Sequence, residues 1–313
     1  MALLACGGDD KPSRSAGSGG TGGQGDASHG SPSHDAGEAG SQATGTRDGS
    51  IDAASINTSD SGLDAGASSA HDAATASSPA LPPTNAAFDY QLGGAYTPPN
   101  GVKIVSRDRT ESPAAGLYNI CYVNGFQVQP GEESSWDADL ILRDGSGDPV
   151  IDQDWNEQLL DTSTADKRTR IAQKLDGFVD GCASAGFDAV EFDNLDSYSR
   201  SGGRLTQDGA VALLALVSKH AHAQGLAVAQ KNSTELLARR AEMGTDFAVA
   251  EECSRYDECG QYIDAYGEHV LMIEYRTADF TKGCQAYGAT HSIVHRDLDL
   301  VAPGDAAYVF EGC

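Results

Sequence analysis

Four carboxylates, Asp188, Glu191, Asp193 and Asp196, crowd into GFDAVEFDNLDSY, residues 186–198. The stretch reads as a helix-ending glycine, Gly186, followed by a short buried strand over 187–192 with the charge gathered at its end. Successive strand side chains alternate faces, so Glu191 and Asp193 point one way and Phe192 the other. Like charges held side by side destabilise the folded state unless a ligand or a reaction uses them. This stretch is therefore the first candidate site.

Glu251 and Glu252 end a second strand and Glu274 a third. Carboxylates from different strands that face each other suit acetal cleavage. One must hold a proton for the leaving oxygen, while the other attacks carbon or activates water, so their surroundings must keep the two pKa values apart. Asp193 and Glu251 are the candidate pair, in either order, with Glu191, Glu252 and Glu274 nearby. Tyr122, Tyr198, Tyr256 and Tyr275 share that rim and could stack on sugar faces. Lys231, followed by Asn232, reads as a partner of the carboxylates rather than a Schiff-base lysine. The rival chemistry is a metal hydrolase with Glu191, Asp193, Glu251 and Glu274 as oxygen ligands. No CxxC or HxxxH spacing on a loop supports zinc, His291 and His295 share a strand face without a third ligand in reach of the sequence, and no GxGxxG or P-loop supports a nucleotide, so no metal and no cofactor is expected.

The elements that position these residues alternate. Strand patterns cover 88–92, 103–106, 118–124, 187–192, 226–232, 246–253, 269–275 and 291–297. Helical patterns cover 167–185, 206–224, 233–244 and 259–266, with a further short helix ending near Gly288, and a hairpin is expected at 144–147. About eight strands joined by crossover helices predict an α/β fold, a (β/α)8 TIM-type barrel. Functional groups end every strong strand, at Asn124, Asp193, Lys231, Glu251, Glu274 and Arg296, as barrel enzymes place them; an open doubly wound sheet would gather them at one switch point.

The barrel needs only the second part of the 313 residues. Residues 7–85 are Gly, Ser, Ala, Asp and Thr with almost no large apolar side chain, and predict a disordered tether; residues 86–313 carry the packable ones. Leu3-Leu4-Ala5-Cys6 before that tether resembles a bacterial lipobox, which makes Cys6 a candidate lipidation site and predicts an exported, envelope-anchored monomer. The six remaining cysteines suit disulfides: Cys253 and Cys259 bracket a short loop, and Cys284 is the expected partner of the terminal Cys313. A net charge of −25 argues against nucleic acid and suits a cationic partner.

GFDAVEFDNLDSY, ICYV at 120–123, QKN at 230–232 and FAVAEECSRYDEC at 247–259 are similar to glycoside hydrolase family 114, the endo-α-1,4-polygalactosaminidases. The resemblance implies a (β/α)8 barrel, Asp193 and Glu251 as catalytic pair, and Glu191 and Asn194 shaping the same subsite. It also implies a cationic polysaccharide substrate, α-1,4-linked and partly deacetylated galactosamine. Phe192 stands where the family usually has Pro, and Ala250 where it usually has Asn; both changes are expected to touch substrate subsites. The alternative is a non-catalytic polysaccharide-binding lipoprotein on the same barrel.

Overall fold

Eight short runs of alternating apolar residues become eight parallel strands that pair in chain order: β1 (Phe88–Gln91), β2 (Ile104–Asp108), β3 (Tyr118–Asn124), β4 (Ala189–Asp193), β5 (Ala227–Lys231), β6 (Phe247–Glu251), β7 (Val270–Glu274) and β8 (Ser292–Arg296). A ninth, β9 (Phe310–Gly312), runs antiparallel to β8. The computed structural model describes residues 78–313. Cys6, its lipobox-like segment and the expected tether as far as residue 77 lie outside the described residues. Residues 80–85, linker by composition, lie against the amino-terminal ends of the strands: Tyr118 donates to the carbonyl of Ala80 at 2.8 Å, and Asn85 to that of Ala289 at 3.0 Å.

No ladder joins β1 to β8, and side chains close the seam instead. Arg296, wholly buried, reaches from β8 to the Tyr90 carbonyl and, at 2.8 Å, to Asp89 Oδ1. The Ala86 amide donates to Ser292 Oγ at 3.0 Å further down. The expected barrel is therefore present, nearly closed, and stitched by a buried ion pair.

Alternation sorts the two layers. Phe88, Tyr90, Ile104, Ile120, Ala189, Ala229, Phe247, Val249, Leu271, Ile273 and Val294 fill the interior, with small alanines accommodating the phenylalanine rings. Val190, Phe192 and Val228 point outward onto helices α1 (Ala165–Ala185) and α2 (Gln207–Ala223). Thr164 caps α1 by accepting from the Lys167 amide, and Gly186 ends it at φ 93°, a left-handed turn that glycine enters without steric penalty. Thr206 caps α2 in the same way. The first two connections, 92–103 and 109–117, carry no helix, so the outer layer there is Val102, Ala114, Leu117 and Phe310. Further on come α3 (Cys259–Tyr266) and α4 (Thr277–Tyr287).

The helix expected over 233–244 with Ser233 as its cap departs from expectation. It is a 3-10 turn, Thr234–Arg239, and one short α turn, and Ser233 sits at φ 63° with no capping bond. The cause lies in the turn just before it, which the site requires. All six cysteines of the described region pair, as Cys121–Cys182, Cys253–Cys259 and Cys284–Cys313. The last two are the expected pairs. No helix among the described residues is long and apolar enough to cross a membrane.

Candidate active site

The interior positions at the carboxyl ends of the strands form one polar layer: Tyr90 from β1, Ser106 from β2, Tyr122 from β3, Glu191 and Asp193 from β4, Lys231 from β5, Glu251 from β6 and, one residue past β7, Tyr275. Each but Asp193, which stands one step above Glu191, is the next inward step above an apolar interior residue. The pleat alone therefore delivers them to one place.

Lys231 is the centre of this layer. Its side chain is buried, and Nζ lies 3.2 Å from Glu191 Oε1, 3.2 Å from Asp193 Oδ1 and 3.1 Å from Glu251 Oε2. Tyrosines complete the network. Tyr90 donates to Glu191 at 2.6 Å, Tyr122 to Asp193 Oδ2 at 2.8 Å, and Tyr275 to Glu251 Oε1. Burial, with the neighbouring carboxylates, pushes all three phenols up, so they remain donors.

Three buried carboxylates against one ammonium cannot all be charged at low energetic cost. Burial raises Glu251, and Asp193 raises it further, against the pull of Lys231 and Tyr275. Glu191 is pushed up to about 7 by burial, with Asp193 and Glu251 adding to the effect. Burial pulls Lys231 down, but Asp193, Glu251 and Glu191 together hold it well above the usual range. Burial and the neighbouring carboxylates thus work against full ionisation of Glu191 and Glu251, while the same carboxylates hold the cation on Lys231.

The turns that follow the site strands share one device. Asn194 at φ 64°, Asn232 at φ 48° and Glu252 at φ 54° come directly after Asp193, Lys231 and Glu251. Asparagine enters this left-handed region readily, whereas a glutamate there carries on the order of 1–3 kcal/mol of strain. The sharp turns repay it in positioning. The Asn194 amide donates to Asp193 Oδ1 at 2.8 Å, and Asn232 both donates to Glu251 Oε2 at 3.2 Å and accepts from the Glu251 amide at 2.9 Å.

Of the residues expected at the site, Asp193, Glu251, Glu191, Lys231, Asn232, Tyr122 and Tyr275 converge, and Asn194 adjoins them through its amide. Three do not join the cluster. Glu274 shares the outward face of β7 with Met272, accepts from the Ser254 amide at 2.7 Å, and lies under the Cys253–Cys259 loop. Glu252 pairs with Arg255 at 2.7 Å, and Tyr198 donates to Glu235 on the flank. Phe192 and Ala250, expected to touch subsites, face outward into the helix layer, where Gly125 abuts Phe192 so closely that a Cβ would stand 3.0 Å from the Phe192 Cβ. Tyr90 and Ser106 join the site without having been expected there, although Tyr90 shares its strand face with Phe88. Glu157 was not expected there either; it accepts from Asn124 at 2.7 Å, and burial pushes it up to about 7. The rival metal site loses Glu274, and the Lys231 ammonium already stands between its other three ligands.

A family model for glycoside-hydrolase family GH114 matches residues 68–313. The chain belongs to that family. It is accordingly a glycoside hydrolase by fold and lineage. Among solved structures it is similar to Ega3 of Aspergillus fumigatus, determined in complex with galactosamine, at 21% identity and a TM-score of 0.63, over 76% of this chain and 98% of that one. It is also similar to the glycoside hydrolase domain of PelA from Pseudomonas aeruginosa, at 15% identity and a TM-score of 0.51, over 70% and 97% of the two chains. These likenesses concern the barrel fold. No curated protein matches the chain.

Proposed function

We propose that the protein hydrolyses α-1,4-linked, partly deacetylated galactosamine polymers, with Glu251 as general acid and Asp193 as nucleophile. The observation that carries this reading is the single ammonium of Lys231 within 3.2 Å of both carboxylates. Two oxygens so held lie no more than about 6.3 Å apart, just short of the roughly 6.5–9.5 Å that leaves room for a water in inverting enzymes. Glu251, raised by burial, donates its proton to the glycosidic oxygen. Asp193, oriented by Tyr122, Lys231 and the Asn194 amide, attacks the anomeric carbon and forms a glycosyl ester as the C–O bond breaks. Glu251 then takes a proton from water, whose oxygen displaces Asp193 and restores both groups.

The acidic chain, at −25, favours a cationic polymer, and the structure of Ega3 with galactosamine supports that sugar. Three disulfides support export, and a lipid anchor at Cys6 is the envelope attachment we propose. The test is a reducing-end assay on deacetylated galactosaminogalactan with wild type, Asp193→Asn and Glu251→Gln. The wild type should release reducing ends, and each variant should lose at least about a thousandfold while keeping its circular dichroism. A polymer bound but never cleaved would favour the binding-lipoprotein alternative.

A further inference from the structure

Residues 125–164, between β3 and α1, carry three short strands, Gln127–Val128, Ile151–Asp152 and Glu157–Leu159, which pair into a small antiparallel sheet. This excursion grips the turn after Asp193 at several points. The Gly125 amide donates to the Asp193 carbonyl at 3.2 Å, Gln127 donates to Ser197 Oγ at 3.0 Å, and Asp152 pairs with Arg200 at 2.7 Å. Closing the barrel requires none of these contacts, since β3 and β4 already pair directly as far as Asn124 and Asp193.

Glu157 links the same sheet to the Asp193 carboxylate itself. Asn124, the next inward step above Tyr122 and only 5% exposed, donates through Nδ2 to Glu157 Oε2 at 2.7 Å. An ionised carboxylate only accepts, so the nitrogen must face it, and that fixes which way the Asn124 carboxamide points. Its Oδ1 then accepts from the Gln127 amide at 3.1 Å and from Asn194 Nδ2 at 3.0 Å. Asn194 is the left-handed residue at φ 64° whose own amide donates to Asp193 Oδ1 at 2.8 Å. A turn in that region keeps its shape only while its surroundings over-determine it. An unbroken line of bonds thus runs from Glu157 through both asparagines to Asp193. Burial opposes the Glu157 charge, as do Asp193 and Asp152, and only Asn124 and Arg200 favour it. A carboxylate kept at that cost points to a function.

We propose that Glu157 is a positioning residue for the reaction: it fixes the Asn124 carboxamide and, through Asn194, the turn whose amide aims Asp193 at the anomeric carbon. This rests on the reading of Asp193 as nucleophile. It adds that the small sheet after β3 governs how fast the glycosyl ester forms, not how tightly the sugar binds.

The test follows, by mass spectrometry of the full chain, the label that a 5-fluoro-α-galactosaminyl fluoride leaves on Asp193. Raising the reagent concentration separates the saturating rate of labelling from the half-saturating concentration. Glu157→Leu should lower the saturating rate at least about tenfold, the size of one hydrogen bond to a charged group, and leave the half-saturating concentration within about twofold. Asn124→Asp sets two carboxylates face to face and should lower the rate as far. Adding Glu157→Gln to Asn124→Asp puts a donor opposite an acceptor again, with the polarity reversed, and should restore the rate to within about threefold of wild type. That pair of exchanges conserves volume and charge, so the double variant tests the link even where a single one fails to fold. Three results would overturn the positioning role: Asn124→Asp labelled at the wild-type rate, a double variant no faster than Asn124→Asp, or Glu157→Leu altered only in half-saturating concentration, which marks a sugar contact. Wild-type protein that takes no label on Asp193 would instead overturn the nucleophile reading on which the proposal depends.

Discussion

Replacing Lys231 with methionine removes the cation from between three buried carboxylates and keeps most of the side-chain volume. Removing one partner of a buried charge set typically destabilises by about 3–5 kcal/mol, because the other charges are left without compensation. Here the loss should depend on pH, and its sign follows from the groups involved. Burial already raises Glu251 and holds Glu191 at about 7, and without the ammonium both rise further. A carboxyl raised in the folded state contributes its full stability below its ordinary value of 4.5 and loses it as pH climbs through the folded-state value. Lys231→Met should therefore be close to wild type near pH 4.5 and lose most near pH 8. Each extra proton retained on folding steepens the fall by about 1.4 kcal/mol per pH unit. Urea unfolding followed by circular dichroism at pH 4.5, 6 and 8 gives the slope, with an unchanged m-value confirming an unchanged fold. Adding Glu191→Gln should recover part of the loss at pH 8. A loss of the same size at all three pH values would refute the claim that Lys231 acts as shared counter-charge.

Two other outcomes follow from the same structure. Glu274, wholly buried with Oε2 lacking a partner among the described residues, is held up to about 7 by burial, with Asp279 and Glu252 adding to it; Glu274→Gln should raise stability above pH 7 by up to about 3 kcal/mol and leave it unchanged below pH 4.5, as thermal melts at the two pH values would show. The Cys121–Cys182 disulfide spans 61 residues between β3 and the last turn of α1, so its removal should lower unfolding free energy by about 4 kcal/mol in denaturant titrations, whereas removal of Cys253–Cys259, which spans 6, should lower it less.

The approximate strand number and the inward face of β4 were legible in the sequence because they depend on local alternation, which needs no knowledge of neighbours. Glu191 and Asp193 fall together for that reason. The same rule, applied to the ends of β6 and β7, would have separated Glu251 from Glu252 and Tyr275 from Glu274, since adjacent strand residues cannot share a face. Nearness in sequence suggested otherwise. What the sequence could not show is set by contacts at long range. The seam bond from Arg296 to Asp89 joins residues 207 positions apart in sequence, and Tyr90 meets Glu191 across 101 positions. The left-handed turn at Ser233, which displaced the expected helix start, follows from Asn232 reaching Glu251 and has no local signature.

In the proposed mechanism Asp193 attacks the sugar while Glu251 supplies the proton. Mass spectrometry of the protein after treatment with a 5-fluoro-α-galactosaminyl fluoride, which slows breakdown of a glycosyl ester, tests it directly. One added glycosyl unit is expected, mapped to Asp193 on the peptide that carries residues 186–198. Label on Glu251, or steady turnover of the reagent with no labelled protein, would contradict it.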